Sequence, residues 1–267
     1  MITRSPLQRR VELTAGVTAD MTARRALLRP PGPSWTALAA PLLVTSGAVV
    51  LMSLAVTVVA WRLQVAAPGS APIRALQWLD VGSERNVPTA WSALLLLSCA
   101  VAAALLAVRG RGSAVPGSGW VLVAVTCAFL ALDETFELHE RLGGLGTAVA
   151  DDRLHFTWVV PGAALACVVG LVLLRRLRAQ PAQVRRQLVV AGAVYLTGAL
   201  VLETVSGQVL RLHGGGGKAY TLVSSVEEGL EMAGASLLLA ALLLQLRHAK
   251  PGRNSSRTGR TSTSASS

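Results

Sequence analysis

The stretch Trp120-Val-Leu-Val-Ala-Val-Thr-Cys-Ala-Phe-Leu-Ala-Leu-Asp-Glu-Thr-Phe-Glu-Leu-His-Glu-Arg141 decides how this chain is read. Its apolar part, Trp120 to Leu132, is 13 residues long. As a helix it covers about 20 Å, whereas a bilayer core is roughly 30 Å thick and takes about 20 residues to cross. A spanning helix here must therefore carry Asp133, Glu134 and Glu137 into the lipid. Each ionisable group at that depth costs about 2.5–3.5 kcal/mol on insertion scales, and such groups mark functional sites by default.

The surrounding sequence agrees with a membrane setting. Of 267 residues, 52% are hydrophobic and only 15% charged, leaner in charge than a soluble domain. The apolar residues fall in blocks of membrane-spanning length. They predict an all-α, polytopic integral membrane protein built as a six-helix bundle over 35–246. The spans are expected at about 35–61, 89–108, 120–141, 157–174, 188–210 and 221–246. A basic tail, 1–34, precedes them and a Ser-, Thr- and Arg-rich tail, 247–267, follows. Both tails read as disordered. The loop 62–88 is long enough for a short interfacial helix near 73–81.

The net charge of +11 raises the question of nucleic acid. The basic residues, however, sit in both tails and in the loops 109–111 and 175–186, which six spans place on one side. The positive-inside rule makes that side the cytoplasm. The chain therefore reads as a multi-pass plasma-membrane protein with both termini cytoplasmic. Its partner is the lipid bilayer, not nucleic acid, and no protein partner is identified. Cys99, Cys127 and Cys167 lie inside apolar runs, as small core residues do.

In that topology the acids come to one height. Asp133, Glu203 and Glu231 lie 13, 15 and 15 residues from the inner ends of spans three, five and six. At 1.5 Å per residue each is about 20–23 Å above the inner face, in the outer part of the bilayer. At 100° per residue, Asp133, Glu137 and Glu140 share one stripe of span three. Glu227 and Glu231 share another, which Gly234 extends. Asp133-Glu134-x-x-Glu137 and Glu227-Glu228-x-x-Glu231 repeat one spacing. Both lie at the outer face, which excludes an inverted repeat.

No Lys or Arg lies in the lipid at this height. Close carboxylates without a base either keep some of their protons or hold a cation. That cation is a proton or a divalent metal, with His139 and His155 as candidate imidazole ligands. The spacing of His139 from Glu134 and Glu137 does not set two ligands on one helical face. No phosphate-cradling loop or nucleophile elbow is present.

Several residues also have simpler readings. Ser225-x-x-Glu228 matches a capping box at the start of span six. Glu203 and Glu231 suit interhelical hydrogen bonds. Trp61, Trp78, Trp91, Trp120 and Trp158 read as interfacial anchors.

Asn86-Val-Pro-Thr-Ala-Trp-Ser, Leu132-Asp-Glu with His139-Glu-Arg, and Glu227-Glu-x-x-Glu together resemble a family of uncharacterised bacterial multi-pass membrane proteins, over about 80–246. The resemblance implies no activity, substrate or cofactor. Three readings stay open. The first is an outward-facing cation site formed by Asp133, Glu134, Glu137, Glu203, Glu227 and Glu231, serving transport. The second is a metal-dependent or acid/base enzyme acting on a lipid-like substrate. The third is a non-catalytic scaffold.

Overall fold

The computed structural model describes residues 34–66, 77–80, 86–109, 117–150, 154–213 and 217–249. The expectations for 1–33, 250–267 and most of the proposed interfacial segment lie outside these residues. No strand occurs among the described residues. Six of their helices are long and apolar enough to cross a membrane: Trp35–Leu63, Val87–Arg109, Ser118–Phe136, Val159–Arg176, Ala182–Leu212 and Lys218–His248. They are called spans one to six below. The expected six-helix membrane fold is the one observed.

Local sequence explains the starts of spans two and five. Asn86 starts span two: its Oδ1 accepts the backbone N–H and the hydroxyl of Thr89, each at 3.1 Å. Pro88 then sits in the first turn, where a missing N–H costs nothing. Pro181 likewise precedes span five. Span three runs from Ser118 only to Phe136, not to Arg141 as its apolar length suggested. It begins two residues earlier than expected, and its 19 residues give about 28 Å. Asp133 and Glu134 stay within the span, while Glu137 to Arg141 leave it.

Span two is the centre of the bundle. Its Leu95, Leu96, Cys99, Ala103 and Leu106 form the core with Trp120, Val123 and Cys127 of span three and Met232, Ala235 and Leu242 of span six. Lipid offers little hydrophobic drive between helices, so close packing over small residues holds them together. Span six also packs against spans one and five. Spans three, five and six were expected to meet as a trio. Instead span three lies along span two, which stands between it and span six. The alanines of span two, Ala100, Ala103 and Ala107, allow that approach.

Span four is the least buried. Its ends tie it to different neighbours: Leu177 reaches Gly119 of span three at one end, and Phe156 reaches Gly207 of span five at the other. Spans five and six pack tightly at Gly234. A Cβ there would lie 2.5 Å from the Tyr195 backbone nitrogen. Gly234→Val is therefore expected to cost about 3 kcal/mol or more by overpacking. The thermal midpoint in detergent, followed by circular dichroism, should fall by roughly 10 °C. An unchanged midpoint would mean the two helices are not pressed together there.

Candidate functional site

The site begins where span three stops. Glu137 takes a left-handed conformation, φ 54°, and its N–H bonds to the Asp133 carbonyl oxygen at 2.7 Å. The chain then turns through the short 3-10 segment His139–Leu142. The Asp133 carboxylate holds this turn. Its Oδ1 accepts the His139 backbone N–H at 2.7 Å, and its Oδ2 meets His139 Nδ1 at 3.1 Å. Two sequence expectations are thereby corrected. The Asp133–Glu137–Glu140 stripe does not form, because the helix ends before Glu137. His139, which its spacing kept off the helical face of Glu134 and Glu137, instead sits on Asp133, because the turn folds it back.

His139 links the turn to span five. Its ring lies 4.5 Å from the Trp158 ring, and Trp158 Nε1 donates to Glu203 Oε1 at 3.3 Å. Trp158 was assigned an anchoring role only; the structure makes it a hydrogen-bond donor to one of the candidate acids. Trp91 also differs from the anchor reading, donating to Ser46 Oγ at 3.0 Å, and Trp120 is buried.

Burial disfavours the charged His139 imidazole. The hydrogen bond and charge of Asp133, with the charges of Glu203 and Glu140, outweigh that penalty and raise its pKa above the ordinary value. A raised folded-state pKa means that the pair stabilises the fold fully below about pH 6.5. This contribution is lost as the pH rises through the raised value. The midpoint difference between the native protein and His139→Gln should therefore be largest near pH ~5.5 and shrink towards pH ~9. A difference that grows with pH would contradict the pairing.

The remaining acids lie on spans three, five and six. Glu227 is only 6% exposed, and its Oε2 has no hydrogen-bond partner among the described residues. Glu203 acts on it most strongly, with Ser206 and Glu228 also facing it. The charges bearing on Glu231 are those of Glu228, Glu134, Glu227 and Glu203. Glu134 thus feels span six although its helix does not pack there. Ser92 Oγ, buried beside Glu134, makes no hydrogen bond of ordinary geometry. Tyr195 lies in the same field, with Glu231 and Glu134 its strongest charged neighbours.

Other candidates sit apart from these contacts. His155 packs edge-on against Phe156, with ring centroids 4.9 Å apart, over Gly207. No three His, Cys, Asp or Glu side chains among the described residues are arranged to hold a metal ion. The capping box is also corrected. Span six starts at Lys218 after Gly217, so Ser225 is inside the helix and its hydroxyl bonds back to the Thr221 carbonyl at 2.7 Å. Sequence reasoning missed Ser92, Trp158, Tyr195, Gly198 and Ser206. Ser206 was within reach, three residues after Glu203; Trp158 carried no local signal.

No curated protein and no solved structure matches this chain. One family matches residues 42–246, a range that contains every span but the first residues of span one and the last two of span six. It therefore also contains Asp133, Glu134, Glu203, Glu227 and Glu231. The chain belongs to the family described as Domain of unknown function (DUF8692).

Proposed function

We propose that this membrane protein binds a cation at Asp133, Glu134, Glu203, Glu227 and Glu231, that the cation is the proton, and that binding serves transport. One observation carries the reading. Glu227 is buried against Glu203 with an oxygen that has no hydrogen-bond partner among the described residues. An ionised carboxylate left so would be very costly, whereas a carboxyl holding a proton is not. Spans three, five and six offer no internal Lys or Arg between Leu188 and Leu210, between Ala219 and Leu246, or from Gly119 to Glu140. A proton needs one or two carboxyls; a divalent metal needs more donors, closely arranged. Glu137 and His155, candidates by sequence, fall outside the proposed set.

The site is expected to face outward, by the positive-inside argument. Proton entry would pass the Asp133–His139 turn, where the two side chains are 18% and 29% exposed. The test is proton flux into liposomes containing the purified protein, driven by an imposed voltage and read with an internal pH dye. Flux should appear with the native chain and be lost in Glu203→Gln. Absence of flux in the native chain would end the transport reading.

One observation favours the enzyme reading. A mainly apolar cavity of about 690 Å³ is lined by Trp78, Asn86, Thr89, Thr135 and Phe136. It adjoins the end of span three that carries Glu134. Apolar walls with a few polar groups suit a lipid-like molecule, and Glu134 would be its general acid or base. Turnover of added lipids, detected by mass spectrometry and lost in Glu134→Gln, would establish that alternative.

A further inference from the structure

Span five is not a uniform α-helix. Residues Thr197–Leu202 form a π turn directly before Glu203. Such turns are rare, and they recur at functional sites. The bond that defines this one runs from the Glu203 backbone N–H to the Gly198 carbonyl oxygen, five residues back. Both of its ends face span six. A Cβ on Gly198 would lie 2.7 Å from the Glu227 carbonyl oxygen and 2.7 Å from Glu231 Cγ. At the other end, Glu203 and Ser206 lie against the Glu227 carboxyl.

Helical phase explains why the turn is needed. In an α-helix, positions five apart differ by about 140° around the axis, at 100° per residue. With Gly198 against span six, an α-helical Glu203 would point well away from it. An i→i+5 turn brings the fifth residue back to within about 50° of the first, on the same face. We propose that the π turn Thr197–Leu202 is a positioning element that rotates Glu203 onto the face where Gly198 meets Glu227 and Glu231. The glycine sets the contact, and the extra residue in the turn sets the direction of the carboxyl. The consequence for proton binding rests on the function proposed above; the geometry does not.

Changing the residue count tests this. Deleting Ala199 leaves Gly198 and the glutamate four apart, about 40° in a plain α-helix, still on one face. Inserting one Ala after Ala199 puts them six apart, about 120° from that face in the opposite sense. In the insertion background, the exchange Leu202→Glu with Glu203→Leu restores a separation of five. Two readouts are used. The first is disulfide cross-linking between cysteines placed by Glu203→Cys and Glu227→Cys, or by Leu202→Cys in the exchange. The second is the pH-dependent infrared band of protonated carboxyls.

Cross-linking should persist in the native register and in the deletion, be lost in the insertion, and return with the exchange. The infrared band should follow the same order. A merely structural role for the turn predicts that deletion and insertion do equal harm and that the exchange rescues nothing; that outcome would overturn the proposal. A cross-linking pattern as expected, with no titrating band even in the native protein, would support the phasing and remove the proton reading instead.

Discussion

Glu227→Met should raise the thermal midpoint by roughly 3–10 °C while abolishing proton binding. The two effects have one cause. Glu227 is 6% exposed, Glu203 faces it, and its Oε2 has no partner among the described residues. Replacing buried ionisable groups by apolar ones of similar volume often stabilises a protein by about 1–4 kcal/mol. For a chain of this size, each kcal/mol moves the midpoint by about 2–4 °C. Met matches Glu in length and bends into irregular space. A gain in stability coupled to a loss of activity is the mark of a site kept for function at the fold's expense. The scaffold reading expects the reverse: if Glu227 locked the bundle, its removal would lower the midpoint. Thermal unfolding and proton uptake, measured on the same preparation, separate the two.

A structural loss comparable to that of Gly234→Val is expected at Gly198, one helical turn from the Gly234 crossing. Glu227 and Glu231 of span six leave no room for a side chain there. A Cβ would come within 2.7 Å of the Glu227 carbonyl oxygen, 2.7 Å of Glu231 Cγ and 3.1 Å of the Glu231 nitrogen. Two of these contacts are backbone, which cannot rotate aside. Gly198→Val must therefore push spans five and six apart, at a cost near or above about 3 kcal/mol. The variant should unfold more than about 10 °C below the native protein. Gly198→Ala should fall between them. Tyr195 and Gly234 lie at the same crossing, so the loss should not add simply to that of Gly234→Val. Native midpoints in both Gly198 variants would show that the helices cross elsewhere.

The legible part of this fold was the part written in composition and spacing. Runs of apolar residues gave six spans, because each must satisfy its own backbone in lipid. Span two starts at Val87, two residues before the expected 89, because Asn86 and Pro88, assigned to the loop, act as a cap and a first-turn proline. What misled was extrapolation along a single helix. Wheel angles carried Glu137 and His139 onward from Asp133 as if the helix continued. The Asp133 carboxylate instead captured the His139 N–H and ended it. No periodic pattern records a side chain that bonds six residues ahead. The same limit applies to Glu203. Its height was counted from residue 188, whereas the span starts at Ala182, and its direction depends on a π turn, so uniform 100° steps aim it elsewhere. Trp158 was hidden for another reason. Its partner is 45 residues away, and an indole at a span's edge has a simpler use as an anchor.

Glu134 bears on Glu231 across the bundle even though span two stands between their helices. Long side chains, not helix contacts, bring these groups within range.

The most direct test of the proton site is infrared difference spectroscopy on the native protein in lipid, stepped in pH, with Glu203→Gln and Glu227→Gln alongside. The account predicts a carboxyl C=O band that appears and disappears with pH and is weakened by each substitution. No pH-dependent carboxyl band, or one untouched when both glutamates are replaced, would contradict it.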